Sequence, residues 1–350
     1  MRYFVAMAAV VTAVQLAAGV ASAQDLASPD ERVEMYEPED YASLRARIEQ
    51  LEANQRYSAP AVASLDPQGG VYVQYDNVIV KPYLSENSAF PAQIADGNVV
   101  NYGFNLDMEY SPRIEVGYMA PTSNLGFRAR YWHFGANAAT GPANDANGLI
   151  ADDAIAIAAG ATIQDVDTIT TVVYDLNMDV LDLEATRAVG SSGTFAAGIR
   201  TAWMGQKYGL DSDEGQLFTD LDVAAIGPTL AYEWKSHDFW FDGLRGLATV
   251  RGSLLYGGKD INSVGPDNTY TYNEQSLISN ADLQLGLEYR RSGGFFLRAA
   301  LEAQYWANTG NATNHNVGPG DDVGDSEFVG SILDDDLGFL GMVFSAGYSW

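Results

Sequence analysis

The sequence predicts an all-β protein, an antiparallel transmembrane β-barrel of about ten strands, preceded by a short N-terminal helical segment. Three observations carry this prediction. From residue 69 onward, large apolar residues recur at every second position, which is the period of a β-strand. The strand-like segments are separated alternately by short turns and by longer acidic loops, as in membrane barrels. The chain also begins with a pattern typical of an export signal.

The last fifteen residues, 336–350, show the alternation most clearly. One face is large and apolar and the other is small, with Leu340, Met342, Phe344, Ala346, Tyr348 and Trp350 opposite Gly341, Val343, Ser345, Gly347 and Ser349. In a membrane barrel the large face meets lipid, and the terminal aromatic residue lies at the interfacial girdle. A C-terminal core strand of a soluble secreted β-protein would show the same pattern, so both alternatives stay open at this point.

Composition limits the classes of function. The 350 residues suffice for one large β-domain or two ordinary domains. The chain contains no cysteine, which excludes disulfides and thiolate metal sites. The formal net charge of −27 opposes nucleic-acid binding, because phosphate groups would be repelled.

Residues 1–23 are predicted to be a signal peptide. Arg2 provides the basic start, an apolar core runs from Val5 to Val20, and Ala21, Ser22 and Ala23 fit the small-residue cleavage pattern. The alternative is a membrane anchor helix. We therefore expect an exported protein, most simply one that crosses a bacterial inner membrane.

Residues 24–68 are predicted to form an acidic linker that contains a short helix at residues 41–55. Leu44, Ile48 and Leu51 are spaced four and three residues apart, which is the seam of a coiled coil. Two heptads are too few to be stable alone. The segment either joins copies of the chain into a homo-oligomer, for example a trimer, or is simply a short periplasmic helix.

Residues 69–350 are predicted to form the barrel. An unbroken alternation through Ser111 and Pro112 favours one long strand with a local bulge over a hairpin, and a change of phase near Val180 and Leu181 indicates a second bulge. A real turn at Ser111 and Pro112 would make twelve strands the alternative. The ten predicted strands cover residues 71–76, 104–118, 125–134, 172–189, 194–206, 217–235, 245–256, 277–291, 295–307 and 336–350.

The connections between these strands differ in length. Short turns are predicted at 190–193, 236–244 and 292–294, and longer loops at 136–168, 208–216, 257–276 and 308–333. Short turns on one side and long loops on the other are typical of bacterial outer-membrane barrels, whose short turns face the periplasm.

Five segments in this order resemble pore-forming outer-membrane barrels of the Legionella major outer-membrane-protein type, including versions in planctomycete-like bacteria. They are SPRIEVGY (111–118), LGFRARYW (125–132), LDLEATR (181–187), VRGSLLYG (250–257) and LRAALEAQYW (297–306). The resemblance covers roughly residues 70–350. It implies a pore-forming outer-membrane barrel that contacts outer-membrane lipid, and it supplies no catalytic residues.

The small-residue face of the strands carries charges that would line the lumen. The predicted lumen-lining residues are Arg113, Glu115, Arg128, Arg130, Asp182, Glu184, Arg200, Glu233, Arg251, Asp282, Glu288, Arg298 and Glu302, with Asp107, Glu109 and Arg290 on the same face. Unpaired charges away from water would cost several kcal/mol each, so they either pair across a filled interior or line a wet pore. The sequence thus predicts a passive pore for ions or small solutes, one that favours cations, and leaves a plugged, non-conducting barrel as the alternative.

No catalytic constellation emerges, and we expect neither an enzyme nor a cofactor. His133 and His237 fall at opposite rims, and His315 lies in a long loop. Asp211, Asp213 and Glu214 resemble part of a calcium loop, but Gly215 comes one position too early for the EF-hand pattern. The acidic loops could hold divalent cations loosely through Asp321, Asp322, Asp325 and Glu327, or through residues 334–336. The alternative is that these loops are simply solvated.

Overall fold

The computed structural model describes Arg45 and residues 70–350, except for 86, 94–98, 121–122, 145–153, 159–160, 267, 292 and 314–334. The predicted signal peptide (1–23), the acidic linker (24–68) and the coiled-coil segment (41–55) lie outside the described residues, apart from Arg45. Within the described residues, no helix is long and apolar enough to cross a membrane.

Alternating side chains form fifteen strands in the described part of the chain. In chain order they are β1 (Gly70–Leu84), β2 (Phe90–Gln93), β3 (Val99–Tyr102), β4 (Glu109–Met119), β5 (Leu125–Thr140), β6 (Ala143–Asn144), β7 (Ala154–Ala158), β8 (Ala161–Val166), β9 (Thr168–Val189), β10 (Gly193–Ser212), β11 (Gly215–Lys235), β12 (Leu244–Val264), β13 (Thr269–Arg290), β14 (Phe295–Ala307) and β15 (Leu337–Ser349).

Ten of these strands form a closed antiparallel barrel. Sequential neighbours pair from β9 through β15, β15 pairs with β1, and β1, β4, β5 and β9 complete the circle. The short strand β6 pairs with β9, while β2–β3 and β7–β8 are separate hairpins. The predicted ten-stranded antiparallel barrel is therefore confirmed.

The two ends of the barrel differ. At one end, here called the turn end, β1 begins, β15 finishes and short connections join β9 to β10, β11 to β12 and β13 to β14. There the Trp350 amide donates to the Val71 carbonyl at 3.0 Å. The opposite end, here called the loop end, carries the two small hairpins and the connections at 85–108, 141–167 and 308–336.

The outer wall carries a continuous apolar band, here called the lipid-facing belt. On β14 it runs over eleven positions from Phe295 to Tyr305, close to the roughly 9–11 residues that a tilted transmembrane strand needs. Its side chains are exposed on the isolated barrel and include Ile114, Val116, Phe127, Leu183, Phe195, Ile199, Leu230, Leu254, Leu283, Leu285, Leu287, Leu297, Leu301, Met342 and Phe344.

The strands from β9 to β13 continue beyond this belt towards the loop end. At about 3.3 Å per residue, the 22 residues of β13 extend roughly 70 Å along the strand. The regions 208–216 and 257–276, predicted as loops, are thus mostly strand. Within them, only the tight turns 213–214 and 265–268 interrupt the strands. The prediction of loops was wrong because a strand whose outer face meets water carries the same polar residues as a loop.

The predicted bulge at Val180 and Leu181 was also wrong. Strand β9 pairs without interruption through both residues, against β5 and against β10. The environment of the outer face changes at this point of β9. Towards the turn end, Leu181 lies on the lipid-facing outer face. Towards the loop end, Asp179 lies on an outer face in contact with water, while Met178 faces the interior.

Strand β4 confirms one prediction and corrects another. It passes through Pro112 as a single strand in unbroken register with β1, so there is no hairpin and no bulge at that position. Its pairing with β5 stops at Arg113, next to the proline that has no amide hydrogen to donate. However, β4 begins only at Glu109, and Phe104 and Leu106 precede it as buried loop residues instead of facing lipid.

Candidate functional site in the barrel interior

The interior at the level of the belt is a layer of charged side chains, here called the charged layer. Because strand side chains alternate, an apolar residue outside places its neighbours inside. The structure places all thirteen predicted lumen-lining residues on this inner face, namely Arg113, Glu115, Arg128, Arg130, Asp182, Glu184, Arg200, Glu233, Arg251, Asp282, Glu288, Arg298 and Glu302.

Asp182 lies at the centre of the charged layer and contacts three guanidinium groups. Its carboxylate accepts from Arg200 Nε at 2.6 Å, from Arg130 Nε at 3.0 Å and from Arg251 Nη1 at 3.0 Å. Asp282 Oδ2 accepts from Arg200 Nη2 at 3.2 Å. Asp182 is 0% exposed, so these contacts replace hydration of its charge.

A second group of charges lies beside this cluster. Arg128 contacts the carboxylates of Glu184 and Glu233, and its Nη1 lies 3.7 Å from Glu115 Oε1. The hydroxyl of Tyr72 donates to Glu115 Oε1 at 2.7 Å. Arg128 therefore joins carboxylates from three strands that are distant in sequence, β4, β9 and β11.

A third group forms a bidentate pair. Arg113 donates through Nη1 and Nη2 to the two carboxylate oxygens of Glu302 at 3.1 and 2.8 Å, and through Nε to Asp76 at 2.7 Å. All three side chains are at most 4% exposed. Such a fork matches the geometry of a carboxylate and fixes the orientation of both groups.

At the turn end of the charged layer an aromatic ring packs against two arginines. The guanidinium carbons of Arg290 and Arg298 each lie 4.8 Å from the centre of the Phe296 ring, and Arg298 Nε donates to Glu288 at 2.7 Å. Gly347 makes room for this ring, since a Cβ there would lie 2.2 Å from Phe296 Cζ. Phe296 is 1% exposed, so its ring is buried between these two arginines and Gly347.

Towards the loop end the interior becomes apolar, and we call this region the apolar core. Phe134 and Phe339 pack edge to face at 4.8 Å between ring centres, and Phe134 is 0% exposed. The other large members include Val78, Val80, Phe104, Leu106, Trp132, Tyr174, Leu176, Met178, Tyr208, Leu210, Leu217, Leu221, Leu255, Ile261, Trp306 and Leu337.

Loops at the loop end fold into the barrel and contribute to the apolar core. The segment before β4 contributes Phe104 and Leu106, as described above. In the loop after β14, Gln206 on β10 holds the backbone by donating to the Gly310 carbonyl at 2.9 Å and accepting from the Ala312 amide at 3.1 Å. Ala312 is 0% exposed, so this polar-looking loop segment is part of the interior.

Some interior residues were missed, and one was placed wrongly. Asp76 was missing from the predicted lumen-lining residues, yet it is 3% exposed and pairs with Arg113. Its alternation with Tyr75 was sufficient to place it inside. Asp107, predicted on the lumen face, lies exposed in the loop before β4, because the prediction extended β4 too far towards its N-terminus. Glu109, the first residue of β4, is half-buried and in phase with the inner residues Ser111 and Arg113, as predicted.

The described members of the predicted cation loops and the described histidines form no compact site. Among the described residues no group of three or more His, Cys, Asp or Glu side chains could hold a metal ion. Asp321, Asp322, Asp325, Glu327 and His315 lie outside the described residues. His133 faces outward and its Nδ1 lies 2.9 Å from Asp179 Oδ1, while His237 lies in the turn between β11 and β12.

Comparisons with known proteins concern the fold. No protein-family model matches the chain, and no curated protein sequence matches it. The outer membrane protease OmpT from Escherichia coli is similar with a TM-score of 0.43 at 9% identity, over 81% of this chain and 98% of that chain. The translocator domain of autotransporter NalP from Neisseria meningitidis gives 0.37 at 11%, over 88% and 98%. The Ralstonia pickettii toluene transporter TbuX gives 0.34 at 11%, over 85% and 93%.

The first of these similarities corrects one sequence-based prediction. We expected the chain not to be an enzyme, yet a barrel of the same fold class is an outer membrane protease. The fold therefore does not exclude catalysis, and the absence of a familiar constellation in the sequence was not sufficient ground for that prediction. The similarity assigns no catalytic residues to this chain. The chain has the fold of an outer-membrane β-barrel, a class that includes channels, a protease and an adhesin.

Proposed function

We propose that this chain is a bacterial outer-membrane barrel with a closed interior, which acts as a structural or surface-interaction protein. The observation that supports this most strongly is the filled interior of the described residues. The charged layer is paired and buried, and the apolar core with its two inserted loops lies above it.

The pore predicted from the sequence finds less support. A wet pore would leave arginines and carboxylates accessible to water, but Arg113, Arg200 and Asp182 are at most 2% exposed. One void lined by Met204, Leu255 and Trp306 holds about 10 Å³, roughly the room of a single water molecule. The burial of these charges and the small size of this void favour a closed interior over a wet pore.

Planar-bilayer conductance of the purified full-length protein tests the closed interior. As a control before the measurement, a difference in gel migration between unheated and heated protein shows that the protein is folded. We expect no stable conductance steps. Long-lived steps from folded protein would overturn the proposal, and reversal potentials in a salt gradient would then test the cation preference predicted from the acidic sequence.

The proposed surface role rests on the part of the wall that continues beyond the belt. Its outer face carries polar and acidic side chains such as Asp175, Asp179, Asp220, Asp222 and Asp260. A tall, polar wall next to an apolar belt is suited to project from the outer leaflet into water. We propose that this acidic surface faces the outside of the cell.

The location and the orientation can be tested with cysteine labelling, because the chain has no native cysteine. On intact cells, a membrane-impermeant maleimide should label Asp220→Cys near the loop end. It should label Ser191→Cys, in the β9–β10 turn, only after the outer membrane is permeabilised. Labelling of Ser191→Cys alone on intact cells would reverse the orientation, and equal labelling of both would contradict a spanning barrel.

Two narrower proposals rest on the sequence alone. From the five resembling segments we propose that the chain is related to the Legionella-type pore-forming barrels, as a member whose interior is closed. We also propose that residues 41–55 join copies of the chain, as a trimer in the simplest case. Deleting residues 41–55 and measuring the mass of the detergent-solubilised oligomer tests the second, since an unchanged mass would refute it.

A further inference from the structure

The turn between β11 and β12 carries the most exposed aromatic residue in the described part of the chain. It spans residues 236–243 and contains Phe239, Trp240 and Phe241 in succession. Trp240 is 88% exposed and has a φ of 65°, a backbone conformation that bulky residues rarely adopt. A large aromatic side chain held outward at a strained position calls for a partner that covers it.

Hydrogen bonds make this aromatic turn rigid. Asp238 accepts from the Gly243 amide at 2.9 Å and from Arg245 Nε at 2.7 Å. Ser236 Oγ accepts from the Gly246 amide at 2.7 Å. The Phe239 amide donates to the Leu244 carbonyl at 3.0 Å. The three aromatic rings are thus presented in a fixed arrangement at low entropic cost.

The aromatic turn lies against the outer wall of the barrel and does not extend straight from its end. Phe241 packs on Tyr289, a lipid-facing residue of β13, at 6.0 Å between ring centres. A Cβ added to the outward position of Gly246 would lie 3.8 Å from the Phe239 ring. Leu244, also outward in phase, is only 9% exposed. The turn therefore covers the end of the lipid-facing belt.

We infer that the aromatic turn 236–243 is a lipid anchor that inserts Trp240 into the headgroup boundary of the periplasmic leaflet. The turn continues the aromatic rim at the same end of the wall, formed by Trp234, Tyr289, Phe295, Tyr348 and Trp350. Tryptophan is favoured at this boundary because its ring is apolar while its N–H finds water or headgroup acceptors. At the base of the turn Asp238 keeps about a third of its side chain exposed and pairs with the buried Arg245, so neither charge is left without a partner.

Spin labelling in phospholipid bilayers tests the depth of residue 240. A nitroxide on Trp240→Cys is compared with one on Ser191→Cys, in another short turn at the same end, and one on Leu285→Cys, within the belt. Accessibility to oxygen relative to a water-soluble nickel chelate reports depth. We expect residue 240 to lie between the two controls and well above Ser191→Cys in oxygen preference. A value equal to that of Ser191→Cys would overturn the inference.

Tryptophan fluorescence gives a second measurement on nearly native protein. In bilayers whose phospholipids carry bromine near the headgroup, the difference between the wild type and Trp240→Phe isolates the emission of Trp240. We expect this difference to be strongly quenched relative to unbrominated lipid. An unquenched difference would contradict insertion. Protection of Trp240 that develops only when a periplasmic extract is added would assign the turn to a protein partner and would also overturn the inference.

Discussion

Substitution of Asp182 by asparagine probes whether the charged layer is a paired core. The substitution keeps the shape of the side chain and removes one negative charge that faces Arg130, Arg200 and Arg251. The new amide group also points hydrogen-bond donors at guanidinium donors. Asp282 and Glu184 would then have to balance the three arginines.

The expected loss in the free energy of unfolding follows from the burial of the ion pairs around Asp182. Asp182 is 0% exposed, and Arg200 and Arg251 are 1% and 2% exposed, so water cannot replace the lost charge. Removing one partner of a buried ion pair costs about 3–5 kcal/mol. We expect Asp182→Asn to lower the free energy of unfolding by about that amount.

Reversible urea unfolding of the purified barrel in detergent, followed by tryptophan fluorescence, measures this change. The matched control is Asp220→Asn on the outer wall, where the carboxylate lies 4.0 Å from Lys207 and half of its side chain is exposed. That control should change the free energy by less than about 1 kcal/mol. Combining Asp182→Asn with Arg251→Met should cost less than the sum of the two single changes, because the cluster regains neutrality. Equal effects of Asp182→Asn and Asp220→Asn would refute a paired interior.

Three further predictions use the same preparation. Phe134→Ala should lower the free energy of unfolding by about 3–5 kcal/mol, because it leaves a cavity in the apolar core. Gly347→Ala should cost about 1–3 kcal/mol, since its Cβ would meet the buried Phe296 ring, and an unchanged urea midpoint would contradict this. The hydrogen bond from Arg245 lowers the pKa of Asp238, so the stabilisation by this carboxylate is present above the ordinary aspartate pKa and is lost as pH falls through the lowered value. A carboxyl NMR titration of Asp238 that shows an ordinary or raised pKa would contradict the last prediction.

The sequence was sufficient for the barrel because its main signal is local. Alternation in a strand such as β15 needs only the residues of that strand, and even its distinction between Phe344 outside and Ser345 inside is correct. The number of strands followed from the same alternation. The continuity of β4 through Pro112 also followed from the alternation alone, because a hairpin there would not be expected to leave the alternation of inner and outer residues unbroken.

The wall beyond the belt could not be predicted in the same way. There the rule of the lipid-facing strand is reversed, as β9 shows with Asp175 outside and Tyr174 and Leu176 inside. A reader of the sequence who assumes one environment for the whole strand must explain this reversal by a bulge or by a loop. The physical cause is the change of solvent from hydrocarbon to water along one continuous strand.

The pairing of the interior charges also lay beyond the sequence. Arg113 and Glu302 are 189 positions apart, and Arg128 and Glu233 are 105 apart. Their residue types and phases indicate that they share an interior, but which carboxylate meets which arginine depends on strand order and register. Likewise, nothing in the small, polar composition of residues 308–313 indicates that this segment is buried.

The two interior layers depend on each other. The buried charges of the charged layer lack hydration, so each guanidinium depends on a nearby carboxylate to offset its desolvation, and Phe296 packs against the layer at the turn end. On the other side the apolar core covers it, and Arg200 meets that core directly, with its guanidinium 5.5 Å from the Trp306 ring. The proposed closed interior therefore rests on two layers of different kinds, one held by charge pairing and the other by the packing of mostly apolar side chains. On this proposal a solute would have to disrupt both layers to cross, whereas a narrow pore would present a single constriction.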